Sequence, residues 1–193
     1  MGGYHHEKHA GYILYDPEDF FRYIKTIRYG YRDTEGKVHV MSVGDNYDDT
    51  EDKGVYVFSS PEEVVKNNCG WCWDVANLIK AYCDGNHIEN KCVFLEYRSP
   101  ELHQTHTQVF VSYNGKWCEA PDNSSPLSLG DNAYEEAEIC IRNFAEMFTD
   151  YLKSVLGDKY DKACLMIREF DCEIPDGISS EEYLGLVRGS RTV

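Results

Sequence analysis

Two side chains stand out for the chemistry they could do together. Cys72 lies in Cys69-Gly70-Trp71-Cys72-Trp73-Asp74, at the head of a run in which Val75, Leu78, Ile79 and Tyr82 recur at helical spacing. A thiol attacks a carbonyl as its thiolate, and both a helix N-terminus and a nearby imidazolium favour that form. The first turn of a helix also carries backbone N–H groups without intrahelical partners, which can hold the oxyanion of a tetrahedral intermediate. The imidazole must come from elsewhere in the chain. His106 is the best candidate, on the segment Thr105-His106-Thr107-Gln108-Val109-Phe110-Val111. Strand alternation puts His106, Gln108 and Phe110 on one face and Thr107, Val109 and Val111 on the other. His103 is a rival, expected in the loop after Pro100.

The elements that must position these groups can be read around them. Asp16-Pro17-Glu18-Asp19 and Ser60-Pro61-Glu62-Glu63 are helix starts, each with a capping residue, proline at the first position and acids in the first turn. Phe20, Ile24 and Ile27 continue the first helix, with Gly30 as its stop. Val38 to Met41 reads as a short strand after a turn at Thr34-Glu35-Gly36. The Cys72 helix runs to about Tyr82, ahead of Asp84-Gly85. Strands are expected at Lys91–Tyr97, Thr105–Tyr113 and Lys116–Ala120, the last two joined by Asn114-Gly115, a strong hairpin signal. A long amphipathic helix follows, with Ile141, Phe144, Ala145, Phe148, Tyr151, Leu152 and Val155 in register. Ala163–Ile167 reads as strand or helix, and Glu181–Val187 as a short helix. Antiparallel strands in one block with helices around them define an α+β fold.

With these elements in place a resemblance is visible. Gly70-Trp71-Cys72-Trp73-Asp74 resembles the G-x-C-W-D nucleophile motif of the transglutaminase-like, papain-related cysteine enzymes. His106 through Val111 to Asn114-Gly115-Lys116-Trp117 is similar to their histidine hairpin. Ile27-Arg28-Tyr29-Gly30-Tyr31 and Ser60-Pro61-Glu62-Glu63-Val64 resemble a subgroup of small bacterial and phage proteins. The likeness covers roughly residues 16–123. It implies a papain-like core, with the nucleophile at a helix N-terminus packed on an antiparallel sheet that carries the histidine hairpin. It also implies cysteine-dependent acyl transfer on amide bonds, as a protease, deamidase or transamidase, without a cofactor or a catalytic metal. Trp71 and Trp73 would then lie at the oxyanion site or the cleft.

The third member of such a triad departs from the pattern, since Pro121 stands where the family has an acid. A two-residue turn at Asn114-Gly115 sets Pro121 opposite Gln108 and Asn123 opposite His106, with Asp122 on the wrong face. One bulged residue near Pro121 would swing Asp122 to the histidine's side. Asp122 is therefore the first choice, Asn123 the second, and Glu119, two cross-strand pairs away, the third.

Other readings compete. Cys69-Gly70-Trp71-Cys72 is also the C-x-x-C of a thioredoxin-like oxidoreductase, although the proline-capped lead-in and the hairpin do not fit that fold. The same pair could be half of a zinc site completed by Cys118 or His87, but no second close pair exists. A binding module without catalysis is the third class. His5, His6 and His9 lie in a polar segment, residues 1–10, expected to be loose, ahead of a single domain over 11–193. The acidic stretch Gly44–Gly54 misses the spacing of a calcium loop and reads as a solvated loop.

Composition bounds the rest. The chain has 193 residues, 42% hydrophobic and 27% charged, which fits one globular domain. The net charge of −15 argues against nucleic acid and anionic membrane surfaces and is compatible with a basic protein or peptide substrate. Eight dispersed cysteines read as free buried thiols. The absence of an apolar span or a signal-peptide pattern sets the expectation of a cytoplasmic protein, or one exported without such a mark.

Overall fold

A computed structural model describes residues 16–41 and 55–192. The expectations for the histidine-bearing segment at residues 1–10 and for the acidic stretch Gly44–Gly54 fall outside the described residues. The architecture is α+β, with two sheets. The smaller sheet has β1 (Arg28–Asp33) between β2 (Val38–Val40) and β3 (Tyr56–Val57), all antiparallel, and β4 (Cys69–Gly70) pairs parallel to β1. The larger sheet has five antiparallel strands in the order β7-β6-β5-β8-β9. They are β5 (Asn90–Arg98), β6 (His103–Tyr113), β7 (Lys116–Glu119), β8 (Leu165–Phe170) and β9 (Arg191–Thr192).

The helix starts form as their caps require. In α1 (Pro17–Ile24), the Asp16 carboxylate accepts the Glu18 N–H at 2.9 Å. In α2 (Pro61–Asn67), Ser60 caps Glu63, and Asn68 closes the helix in the left-handed region with φ 47°. Gly30 is not the stop of α1, which ends at Ile24. It lies inside β1, where an added Cβ would stand 2.1 Å from the His39 carbonyl oxygen, so the small sheet closes only around a glycine. The Asn114-Gly115 turn has φ of 52° and 77°, as a two-residue type I′ hairpin demands, and it pairs Tyr113 with Lys116. His103 is no loop residue. It begins β6, opposite Arg98.

The larger sheet is covered on both faces. On one side α3 (Cys72–Gly85) packs Trp73, Val75, Ala76, Leu78 and Ile79 against Phe94, Val109, Val111 and Ala120. On the other, the N-terminal half of α4 (Ala137–Leu156) sets Cys140, Ile141 and Phe144 on Val93, Leu95 and Phe110. The expected helical register of α4 continues past the sheet, leaving Tyr151 and Val155 about half exposed. The segment left open between strand and helix becomes a short 3-10 turn, Lys162–Cys164, followed by β8. Finally α5 (Ser180–Arg188) closes the α3 side. It is capped reciprocally by Ser179 and Glu182, and its Tyr183 is fully buried in that core. No described helix is long and apolar enough to cross a membrane.

Candidate active site

Cys72 is the first residue of α3, and its side chain is 8% exposed. The start of this helix is set by Asp74, whose carboxylate accepts the N–H of Trp71 at 3.1 Å and that of Ser59 at 2.9 Å, and the Tyr56 hydroxyl at 2.7 Å. Asp74 is fully buried, and that burial pushes its carboxyl up to about 6 against these donors. Gly70 serves close approach. It lies in β4, where a Cβ would meet the Asp74 Cβ at 3.1 Å and Val75 at 3.3 Å.

The β6–β7 ladder decides where the sulfur goes. Phe110 pairs with Glu119, and Ala120 N–H still reaches the Val109 carbonyl at 2.9 Å. The same register would next pair Thr107 with Asp122, with the Thr107 N–H pointing toward β7 as the Val109 groups do. That pair never forms. The ring of Pro121 restricts the backbone, and Asp122 closes a turn in which its Oδ1 accepts Ser124 N–H at 2.7 Å, Ser125 N–H at 2.7 Å and Ser124 Oγ at 2.9 Å. The expected bulge is therefore absent. The strand ends instead, and the Gln108 side-chain amide caps the Ala120 carbonyl at 2.8 Å. The Thr107 N–H left at this gap, like the N–H of Trp73, acts on the Cys72 thiol and favours its ionised form.

His106 precedes Thr107 in β6, opposite Leu95, with its side chain on the α4 face of the sheet and no hydrogen bond to Cys72 among the described residues. Its ring rests against Phe144 of α4, centroids 5.6 Å apart, and Nε2 is 3.4 Å from Gln108 Oε1. Burial lowers the imidazole below its ordinary 6.5, while the Asp122 carboxylate and Gln108 act to raise it. Burial also pushes the Cys72 thiol up to about 12. The Thr107 and Trp73 N–H groups pull it down, and the Asp122 and Asp74 carboxylates push it further up. The Asp122 carboxylate thus acts on both groups through its charge, without a hydrogen bond to either among the described residues. It is 6% exposed, and its Oδ2 has no hydrogen-bond partner among the described residues.

The other candidates go elsewhere. Asn123 donates to the Gly70 carbonyl at 3.0 Å and to the Arg28 carbonyl at 3.3 Å, pinning the 121–129 segment to β4 and β1. Glu119 pairs with Phe110 on the α4 face, the face His106 shares, but makes no hydrogen bond to that imidazole among the described residues; its carboxyl is raised by burial and by Asp122. His103 binds Glu96 Oε1 at 2.7 Å, and Arg188 holds the other side of that carboxylate. Trp71 stacks on Tyr56 at 5.0 Å and Trp73 on Tyr183 at 4.2 Å. Both indoles also line a cavity of about 30 Å³ with Tyr56, His103 and Thr105, room for a water molecule but not for a side chain. Cys69 is 4% exposed, and all eight cysteines are free thiols. The described residues contain no group of three or more His, Cys, Asp or Glu able to hold a metal.

Three contributors were not singled out from the sequence: the Thr107 N–H, Asp74 and Gln108. Asp74 carried a signal, being an acid three residues after the residue that precedes the helix. The Thr107 N–H carried none, because it is a backbone group freed by the end of a neighbouring strand. No protein-family model and no curated protein sequence matches this chain.

Proposed function

We propose that the protein is a cysteine-dependent acyl-transfer enzyme of the transglutaminase-like, papain-related type, acting on amide bonds of a protein or peptide. The observation that carries this reading is the gap in the β6–β7 ladder. There the helix-start thiol of Cys72 comes under the influence of the N–H of Thr107, the residue after His106, and the Asp122 charge acts on both side chains.

Burial raises the thiol and lowers the imidazole, so both are neutral at rest. His106 takes the thiol proton as the sulfur attacks the carbonyl carbon, forming the S–C bond of a tetrahedral intermediate. The first-turn N–H groups of α3 hold its oxyanion. Collapse breaks the C–N bond, the imidazolium returns the proton to the leaving amine, and a thioester remains on Cys72. Water or a second amine, deprotonated by His106, then releases the acyl group. Asp122 stabilises the transient imidazolium. The net charge of −15 favours basic substrates.

The experiment is an acyl-enzyme trap with an activated ester or amide, read by intact mass and peptide mapping. The expected result is one acyl adduct, on Cys72, lost in Cys72→Ser and suppressed in His106→Ala with the fold retained. Adducts spread over several cysteines, or a Cys72 adduct indifferent to His106→Ala, would overturn the reading. Equal loss from Cys69→Ser and Cys72→Ser would favour thiol–disulfide exchange, although the 4% exposure of Cys69 gives such chemistry no accessible second thiol.

A further inference from the structure

Tyr183 stands on α5, beyond the part of the chain that the sequence connects with the reaction. Its hydroxyl is 2.9 Å from Thr107 Oγ1. Its ring stacks on Trp73 at 4.2 Å and 14°, and on Phe58 at 5.5 Å and 14°. The side chain is 1% exposed. Helix α5 is held at both ends. Ser179 bridges to Val57, and Arg188 binds the buried Glu96 carboxylate. The phenol is therefore placed by two independent anchors.

Thr107 needs such a hold. Its backbone pairs with Phe94 on the β5 side, but the β7 side is open, because the ladder has ended. A strand residue with one free edge keeps its N–H direction only if something else restrains it. Resting on the assignment of Cys72 as nucleophile, we infer that Tyr183 is a positioning residue for it: one phenol bonds Thr107 and stacks on Trp73, the residue that follows Cys72 in α3. The C-terminal helix thereby takes part in activating a thiol that comes from the first half of the chain.

The test is the alkylation rate of Cys72 by a small thiol reagent, followed by peptide mass at several pH values, with buried Cys92 as the internal reference. In the wild type Cys72 reacts faster than Cys92. Tyr183→Phe removes only the hydroxyl and slows Cys72 by roughly two- to tenfold at every pH, the scale of one hydrogen bond. Thr107→Val does the same, the double variant is no slower than either single one, and Thr107→Ser keeps the wild-type rate. Tyr97→Phe, which removes another buried hydroxyl that bonds Asp161 N–H at 3.1 Å, leaves the ratio unchanged. A purely structural role gives the opposite sign, because loosening the fold exposes both cysteines and speeds both. An unchanged Cys72 to Cys92 ratio in Tyr183→Phe overturns the inference and leaves the nucleophile assignment standing. A wild-type Cys72 that reacts no faster than Cys92 overturns both.

Discussion

The backbone N–H of Thr107, the residue that follows His106 in β6, acts on the Cys72 thiol and favours its ionised form. The interaction falls where Asp122 would have paired had β7 run on, so the end of one strand opens the edge of β6 to a thiol at the start of a helix. Asp122, turned away from the ladder, keeps one oxygen for its own turn and the other without a partner among the described residues. That division of labour makes it the acid to test first.

Asp122→Asn keeps Oδ1 as an acceptor for Ser124 and Ser125, so the turn survives, but the charge is lost. The maximal rate of acyl-enzyme formation is expected to fall by about a hundredfold or more, as when a triad carboxylate is neutralised. Glu119→Gln should change it by less than about threefold, since Glu119 lies beside Phe110 and makes no hydrogen bond to His106 among the described residues. Single-turnover kinetics on the two variants decide between them, and a larger loss from Glu119→Gln would reassign the acid.

The pH profile follows from the directions of the two shifts. A base must be unprotonated, so the acylation rate should rise through the His106 pKa, which lies below 6.5, and stay level through neutral pH. No alkaline limb is expected before the thiol ionises, near about 12. Removing the Asp122 charge withdraws support for the imidazolium, so Asp122→Asn should move the acid limb to lower pH. A limb that moves upward would show that Asp122 does not act on His106.

Asp74 should make stability depend on pH in the less usual direction for an acid. Its folded value of about 6 exceeds the roughly 3.9 of an unfolded Asp, so the folded state binds the extra proton between them. The contribution is present at low pH and is lost as pH rises toward 6. The groups acting on Asp74 are Ser59, Tyr56, Trp71 and Arg32, and Asp74 in turn acts on Cys72. Relative to Asp74→Asn, the wild type should gain about 2 kcal/mol between pH 7 and pH 4.5. Urea unfolding of both proteins at the two pH values measures that difference.

Glu96 has the opposite sign. Burial alone would raise its carboxyl, but Arg188 and His103 hold it down at about 2, below the roughly 4.3 of an unfolded Glu. Its contribution is complete above about pH 4.3 and is lost as pH falls through about 2. Arg188→Met leaves the carboxylate with His103 alone and should cost about 3–5 kcal/mol at pH 7, as breaking a buried pair does. The gap between variant and wild type should narrow in acid, which thermal or urea unfolding from pH 7 to pH 3 can follow.

What the sequence determined by itself was local. Pro17 and Pro61 behind their caps, the helical spacing from Val75 to Tyr82, and the Asn114-Gly115 turn all reduce to backbone preferences of neighbouring residues, and each element formed where those preferences put it. The hairpin turn even carried its register, so that Ala120 N–H meets the Val109 carbonyl as counting from the turn requires. What only the tertiary structure decided was non-local. The sequence places Pro121 after β7, but not whether the chain bulges or stops there, because that depends on whether another group can satisfy the Thr107 N–H. The thiol of Cys72 is the group brought under its influence, by a helix that approaches through the packing of α3 on the sheet. The part played by Tyr183 was equally hidden. A tyrosine in a short amphipathic helix reads as core, and its contact with Thr107 exists only because two anchors far apart in the chain hold α5 beneath β6.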